Sequence, residues 1–293
     1  MFPHRRLAVS CFAAIGLVLG AAMIAPAPLN ATPAKHQQPT PTPTAAPTPT
    51  ASPGPTTPPV SGSWTLKFAD EFNGSSLDLN KWRPNWAWWL TNADTAISKP
   101  VNDAELSCYD PSAVTEGNGV VTLTAVQQPC TANNGVTYAY RSGLIESYNH
   151  YQFTYGYTEA RMWLPQGTGT PVDWPAFWAN GVGPWPTTGE IDIMEVLGGR
   201  NPLCWHFHYS GGAPGGCPRS ISNPTGWHTF GADWEPGSIT FYYDGVRVGR
   251  VNKGVTSSPM YVIANLAIST TVGGPLSVPA KVDIDYVHVW QRT

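Results

Sequence analysis

The stretch that decides the fold is G-E-I-D-I-M-E-V-L-G, residues 189–198, in which three carboxylates interrupt an apolar run. Side chains alternate between the two faces of an extended strand, so Glu190 and Asp192 point to one face and the two isoleucines point to the other. Glu195 has the wrong parity for the acidic face, and a buried carboxylate without a partner would be costly. One extra residue, a β-bulge near Met194, would return Glu195 to the acidic face. The stretch therefore predicts a bulged strand with one apolar and one acidic face.

Three crowded carboxylates predict acid–base chemistry on that face. Neighbouring carboxylates push their pKa values apart, and glycoside hydrolysis needs one ionised carboxylate beside one protonated carboxyl. The backbones of Glu190 and Glu195 would lie about 13 Å apart along the bulged strand. Their side chains would have to lean together to reach the separation of about 5–5.5 Å that a retaining glycosidase requires. The alternative interpretation is an amphipathic strand with a solvated acidic face.

The rest of the folded chain contains short strand-like runs separated by Gly, Pro and Asn, which predicts an all-β sandwich or jelly roll. Residues 153–164 alternate most clearly, and one face combines aromatic rings with Glu159 and Arg161. That face suits a sugar cleft. The alternative is an outer face that carries a Glu159–Arg161 ion pair. Asp244-Gly245 predicts a hairpin turn.

Aromatic side chains and two histidines surround the acidic stretch. The chain has 13 tryptophans, and an indole offers a flat apolar surface with a polar N–H, which suits a sugar ring. Trp178 and Trp174 are candidate cleft walls, with core packing as the alternative. His206 and His208 share one strand face and could bind a metal, but the surrounding residues indicate carbohydrate chemistry, and a glycosidase needs no catalytic metal. His208 is therefore a candidate partner of Asp192 or of a sugar hydroxyl. A structural role for His208 is the alternative.

From W-P-A-F-W, residues 174–178, through G-E-I-D-I-M-E, the sequence resembles glycoside hydrolase family 16 in its laminarinase-type branch. Together with four shorter motifs, the resemblance covers nearly all of residues 63–293. It implies a β-jelly-roll sandwich of two antiparallel sheets with a concave substrate cleft. The shorter motifs are D-E-F at 70–72, N-D-A-E-L at 102–106, Y-G-Y-T-E-A-R at 155–161 and I-D-Y-V-H-V-W-Q at 284–291.

The resemblance also implies roles for the acidic residues. Glu190 would be the nucleophile, Glu195 the general acid/base, and Asp192 would hydrogen-bond to the nucleophile. The family's usual H-G-T-x-H arrangement is altered here to W-H-F-H, residues 205–208. The candidate substrate-binding residues, taken from the motifs and the aromatic faces, are Trp178, Trp174, His208, Arg161, Asn102 and Glu105.

No cofactor is expected for catalysis, but the family often carries a structural calcium ion. The matching positions are Glu71, the carbonyl of Gly119 and Asp285, whose oxygen atoms suit calcium.

The N-terminal segments of the chain predict export. Residues 1–31 have the layout of a signal peptide, with Arg5 and Arg6 before an apolar run. Residues 32–62 are rich in Pro and Thr and read as a semi-rigid linker. Residues 63–293 are the predicted catalytic domain. A retained membrane anchor is the alternative to signal cleavage.

Four cysteines remain in the folded part, and an even number in an exported chain predicts two disulfides. Three pairings are possible, and we favour the two that close local loops, Cys108–Cys130 and Cys204–Cys217. A zinc site is the rival interpretation, although no C-x-x-C spacing is present. The net charge of -3 and the lack of a basic patch argue against nucleic acid as a partner.

These patterns predict a secreted, extracellular enzyme, a retaining endo-β-glycanase. The resemblance implies that its substrate is a β-1,3- or mixed β-1,3-1,4-glucan. We expect a monomer with a polysaccharide substrate and no membrane association after signal cleavage. The alternatives are action on galactan, agar or carrageenan, a transglycosylase with the same residues, and a lectin-like domain that binds glycan without cleaving it.

Overall fold

The computed structural model describes residues 54–86, 93–165, 171–199, 202–221 and 224–293. The predicted signal peptide and residues 32–53 of the predicted linker lie outside the described residues. Within the described ranges the helices are two short 3-10 turns, Ala93–Thr95 and Pro111–Ala113. No helix in these ranges has the length and apolar character needed to cross a membrane.

The part of the chain that the structure describes contains eighteen strands. In chain order they are β1 (Trp64–Asp70), β2 (Ser107–Tyr109), β3 (Val114–Gly117), β4 (Val120–Ala125), β5 (Cys130–Thr131), β6 (Thr137–Tyr138), β7 (Tyr140–Ser142), β8 (Leu144–Glu146), β9 (Gly156–Leu164), β10 (Trp174–Gly181), β11 (Glu190–Val196), β12 (Leu203–His208), β13 (Gly215–Gly216), β14 (Gly226–Glu235), β15 (Ser238–Tyr243), β16 (Val246–Val251), β17 (Met260–Ala267) and β18 (Ala280–Arg292).

Two antiparallel sheets make the predicted jelly-roll sandwich. The eight-stranded sheet has the order β16-β15-β14-β9-β18-β4-β3, with β1 also paired to β18. The six-stranded sheet has the order β13-β12-β11-β10-β17-β8. Two short pairs, β2-β7 and β5-β6, lie outside both sheets. The all-β jelly-roll prediction is therefore confirmed.

Period-2 alternation builds the core between the sheets. On the six-stranded sheet, Phe177, Ile191 and Phe207 point inward, and on the eight-stranded sheet Met162 and Phe230 point toward them. A second apolar cluster, which includes Trp86, Trp178 and Tyr261, packs on the other face of the six-stranded sheet. That face therefore carries aromatic surface outside the main core.

The predicted β-bulge is present on β11. Asp192 pairs with Trp178 and Met194 pairs with Phe177, so Ile193 is the extra residue against β10. The register with β12 shifts over the same residues, between Asp192 and Glu195. Ile193 and Met194 are both buried in the core.

The sugar-cleft interpretation of residues 153–164 is wrong, because β9 lies in the eight-stranded sheet and the acidic strand lies in the other. The predicted ion pair is also replaced by other partners. Arg161 Nη1 lies 2.6 Å from Asp285 Oδ2, while Glu159 accepts hydrogen bonds from Tyr157 and Tyr286. Alternation in a sequence separates two faces but does not say which sheet a strand joins.

The last part of the predicted linker packs against the domain. The Gly54 N–H donates to Glu71 Oε2 over 3.0 Å, and Trp290 Nε1 donates to the Thr56 carbonyl over 3.1 Å. Arg292 Nη1 donates to the Ser61 carbonyl over 3.2 Å. Trp290 alternates with Val289, which lies in the core, so residues 54–62 cover the outer face of the eight-stranded sheet. The folded unit thus begins before the predicted boundary at residue 63.

Both favoured disulfides form. Cys108 pairs with Cys130 and Cys204 pairs with Cys217. The first ties β2 to β5 beside the cleft. The second lies next to the acidic strand, because Cys204 is the β12 partner of Glu195.

Candidate active site

Strand β11 brings its three carboxylates to the outer face of the six-stranded sheet. Gly189 precedes the strand with φ +88°, and a Cβ there would lie 2.7 Å from Thr256 Oγ1 and 2.9 Å from Met260 Cε. Only glycine allows the chain this close approach at the entry to the strand. From there Glu190 and Asp192 alternate with core residues, and the bulge adds Glu195 to the same face.

A cleft of about 720 Å³ runs over this face and holds all three carboxylates. Its floor comes from β10, β11 and β17, and the segments around Asn102 and Trp185 also line it. The other side chains that line it include Trp86, Glu105, Tyr148, Trp174, Trp178, Asn180, Tyr261 and Asn265.

Burial and mutual repulsion keep protons on this cluster. Burial, followed by the charge of Asp192, raises the pKa of Glu190 to about 8, and a hydrogen bond from Trp185 opposes this shift. Burial and then the charge of Glu195 raise the pKa of Asp192 well above its ordinary value. Asp192 is only 6% exposed, so we assign it the proton. A protonated Asp192 no longer repels Glu190, so the pKa of Glu190 is lower than it would be beside a charged Asp192.

Two histidines of β12 face the carboxylates. His208 Nε2 lies 3.0 Å from Asp192 Oδ2, the partner expected from the sequence, and 3.7 Å from Glu190 Oε1. His206 Nδ1 lies 3.5 Å from Glu195 Oε2. Each end of the acidic row therefore has its own imidazole.

Both predicted tryptophan walls line the cleft, with different exposure. Trp174 is half-buried, and its Nε1 donates to Glu195 Oε1 over 3.0 Å, which orients that carboxylate. Trp178 is almost fully buried and donates from Nε1 to Asn265 Oδ1 over 2.9 Å. Trp174 thus offers ring surface near Glu195, while Trp178 mainly supports the floor.

Asn102 and Glu105 also lie in the cleft wall. Glu105 Oε2 accepts from the Tyr109 hydroxyl over 2.6 Å, and Asn102 Nδ2 donates to Glu105 Oε1 over 3.2 Å. Asn265 Nδ2 donates to the same tyrosine oxygen over 2.9 Å, which links Glu105 to Trp178. Burial raises the pKa of Glu105 to about 7.

The prediction of Arg161 as a substrate-binding residue is wrong. Its guanidinium lies 4.6 Å from the Trp227 ring centroid and pairs with Asp285, on the sheet opposite the cleft. Among the described residues that line the cleft, Arg161 does not occur.

The predicted calcium ligands do not fit calcium as they are placed. Glu71 is paired with His288 Nε2 and with the Gly54 N–H, and Asp285 is paired with the Arg161 cation. Both carboxylates are thus committed to protein donors, and the carbonyl of Gly119 alone would not hold the ion. Calcium binding stays a prediction without support from these contacts.

Four polar residues among those that line the cleft were not predicted from the sequence: Tyr148, Asn180, Tyr261 and Asn265. Asn180 and Tyr261 are joined by a hydrogen bond of 3.1 Å from Nδ2 to the hydroxyl. Asn265 could have been noticed as the one amide in the apolar run Y-V-I-A-N-L-A, residues 261–267.

Fold and site together define a class of protein: a β-sandwich with a row of carboxylates in a cleft lined by aromatic side chains. Residues 102–288 match the family described as Glycosyl hydrolases family 16. Because this match spans most of the chain, the protein belongs to glycosyl hydrolases family 16, as the resemblance implied.

Relatives and solved structures agree with this membership. Endo-1,3-1,4-beta-glycanase EglC of Rhizobium meliloti (strain 1021) is 30% identical over 251 residues, covering 77% of this chain and 51% of the relative. The endo-beta-1,3-glucanase from Pyrococcus furiosus superposes with a TM-score of 0.64 at 29% identity, covering 81% of this chain and 99% of that one. The catalytic domain of an endo-1,3-beta-glucanase (laminarinase) from Thermotoga petrophila RKU-1 gives 0.65 at 26% identity, covering 80% and 100%. The chain spans about half the length of the first curated relatives it matches.

Proposed function

We propose that the protein is a retaining endo-β-glucanase that hydrolyses β-1,3- or mixed β-1,3-1,4-glucan. The observation that carries the proposal is the bulged strand β11, which presents Glu190 and Glu195 on one face with Asp192 between them. A cleft of about 720 Å³, lined by aromatic and polar side chains, surrounds them.

In the proposed mechanism, Glu195 gives its proton to the glycosidic oxygen while a Glu190 oxygen attacks the anomeric carbon, and the C–O bond to the leaving sugar breaks. The ionised Glu195 then takes a proton from water, and the hydroxide oxygen displaces Glu190 from the anomeric carbon. Trp174 holds Glu195 toward the substrate. Asp192, with His208 behind it, stabilises the ionised nucleophile.

The substrate class is proposed from the relatives. The names of the Rhizobium, Pyrococcus and Thermotoga proteins specify endo action on β-1,3 or mixed β-1,3-1,4 linkages. The aromatic cleft is compatible with a glucan chain, because indole and phenol rings pack on the apolar faces of sugar rings.

The test is to incubate the purified protein with laminarin, lichenan, agarose-type galactan and κ-carrageenan, with Glu190→Gln as the control. Reducing ends should rise with laminarin or lichenan and not in the control, with oligosaccharides of several lengths appearing early. Proton NMR of the first products should show the β-anomer before mutarotation. Initial release of the α-anomer would contradict the retaining mechanism. The absence of new reducing ends with both laminarin and lichenan would contradict the proposed substrate class. Products longer than the starting oligosaccharide would indicate transfer instead of hydrolysis.

We also propose that the protein is exported and acts outside the cell as a monomer. Support comes from the two disulfides, which persist in oxidising compartments. The mass of the protein recovered from culture medium, and its elution volume in size-exclusion chromatography, would test cleavage, export and oligomeric state. A cell-bound protein of full mass would contradict export with signal cleavage.

A further inference from the structure

Three side chains at one end of the acidic row converge as metal ligands do. One ligand atom from each of Asp192, Glu195 and His206 lies within 4.8 Å of the other two. Asp192 is 6% exposed, and its Oδ2 faces His208 Nε2 at 3.0 Å. A carboxylate buried this deeply is costly in its charged form unless it is paired or coordinates a metal.

We propose that the cleft binds one zinc ion through Asp192, Glu195 and His206, and that this ion reversibly blocks the cleft. Zinc takes His nitrogen and carboxylate oxygen at about 2.0–2.2 Å in tetrahedral geometry, which places neighbouring ligand atoms about 3.4 Å apart. The distance of 3.5 Å from His206 Nδ1 to Glu195 Oε2 matches this spacing. Three protein ligands leave the fourth position open to the cleft.

Two neighbours hold the ligands in place. Trp174 Nε1 donates to Glu195 Oε1, which leaves Oε2 directed toward His206. The His206 ring packs against Gly215 on β13, where a Cβ would collide with the imidazole. Outer contacts of this kind fix the orientation of metal ligands and strengthen binding.

The ligand set favours zinc over calcium or magnesium. Those two ions take oxygen ligands almost exclusively, whereas an imidazole nitrogen suits zinc and its neighbours among the transition metals. The alternative set in the row, Glu190, Asp192 and His208, has ligand atoms within the same limit of 4.8 Å. We favour the His206 set because its histidine–carboxylate distance is closer to the zinc spacing than the 3.0 Å and 3.7 Å around His208.

Inhibition by zinc rests on the proposed function, whereas zinc binding itself does not. A zinc ion on Glu195 would take the electron pair that the proton occupies during acid catalysis, and it would lie where the glycosidic oxygen must sit. Zinc and substrate should therefore exclude each other.

The experiment is isothermal titration of zinc chloride into the tag-free protein in a non-chelating buffer, without sugar. We expect one strong site in the wild type, at least about a 100-fold loss of affinity in His206→Gln, and about a tenfold loss in Gly215→Ala, which removes no ligand. His228→Gln is the matched control, because His228 pairs with Asp244 on the other sheet. It should bind zinc as the wild type does. Calcium chloride should give no comparable heat.

The visible absorption spectrum of bound cobalt supplies a second readout. A variant that is destabilised but has an intact site would still give this spectrum. Equal zinc affinity in wild type and His206→Gln would overturn the proposal. So would a loss confined to His208→Gln, which would place the ion in the other set. Either failure leaves hydrolysis of glucans, tested by product formation, unaffected.

Discussion

At the scale of single residues, Glu190 and Glu195 share one face but differ in their partners. Glu190 lies beside Asp192 and under Trp185, while Glu195 is held by Trp174 and faces His206. These environments assign the two carboxylates different tasks, and substrates with different leaving groups can test the assignment.

Glu195→Gln should lose about 10²–10⁴-fold in rate on polysaccharide, because general acid catalysis contributes that much. An aryl β-glucoside oligomer with a good leaving group needs little protonation, so its first step should be nearly as fast as in the wild type. Glu190→Gln should lose both activities. Pre-steady-state release of the phenol measures the first step, and equal losses of it in the two variants would contradict the assigned roles.

Glu105 makes a pH-dependent contribution to stability. Its pKa in the folded protein is raised by burial from 4.5 to about 7, so the fold favours the neutral acid. The contribution is therefore complete below about pH 4.5 and is lost as the pH rises through 7. It amounts to roughly 3 kcal/mol, at about 1.4 kcal/mol per pKa unit.

Glu105→Gln keeps an acceptor for Tyr109 and cannot ionise, so it should gain stability relative to the wild type as the pH rises from 4.5 to 8. Thermal unfolding of both proteins across that range measures the difference. The other buried carboxyl groups are present in both proteins, so their contributions to the pH dependence of Tm cancel in the difference. A constant difference in Tm would show that Glu105 does not titrate in the folded state.

At the scale of elements, the bulge on β11 is what converts an ordinary strand into a catalytic one. Inserting an alanine after Met194 would add a second extra residue, and regular alternation beyond the bulge would turn Glu195 toward the core, where an unpaired carboxylate is costly. The insertion should abolish activity and lower stability. Met194→Ala keeps the register, so it should lose about 2–5 kcal/mol through the cavity and retain the catalytic geometry. Activity in the insertion variant equal to that of Met194→Ala would contradict this role for the bulge.

The bulge was predictable because parity and the cost of burying Glu195 are local properties of the sequence. The placement of β9 was not. Residues 153–164 alternate as clearly as any strand, but the sheet that they join depends on pairing with β14 and β18, more than 60 residues away along the chain. For the same reason Asn265 on β17 could not be brought to Trp178 and Tyr109 by reading the sequence. The carboxylates, the disulfides and the fold class could be predicted from local features of the sequence. The rest of the cleft wall could not, because it depends on pairing between strands that are distant along the chain.

At the scale of the whole molecule, residues 54–62 should contribute to stability and not to catalysis. A chain that begins at Ser63 loses the hydrogen bonds from Gly54, Trp290 and Arg292. At about 1 kcal/mol for each bond, the free energy of unfolding should fall by about 2–3 kcal/mol relative to a chain that begins at Gly54. Rates on glucan should be equal, because the segment lies on the sheet opposite the cleft. Urea unfolding and initial rates of both chains test this, and a slower but equally stable shorter chain would contradict it.

The position of residues 54–62 also determines how mechanical load enters the domain. Tension on the chain ahead of Gly54 is transmitted first to Glu71, His288 and Trp290, at the junction of β1 and β18. No carboxylate of the acidic row belongs to those strands. An enzyme attached to a support through this end would present its cleft away from the attachment and would keep its catalytic strand out of the line of force.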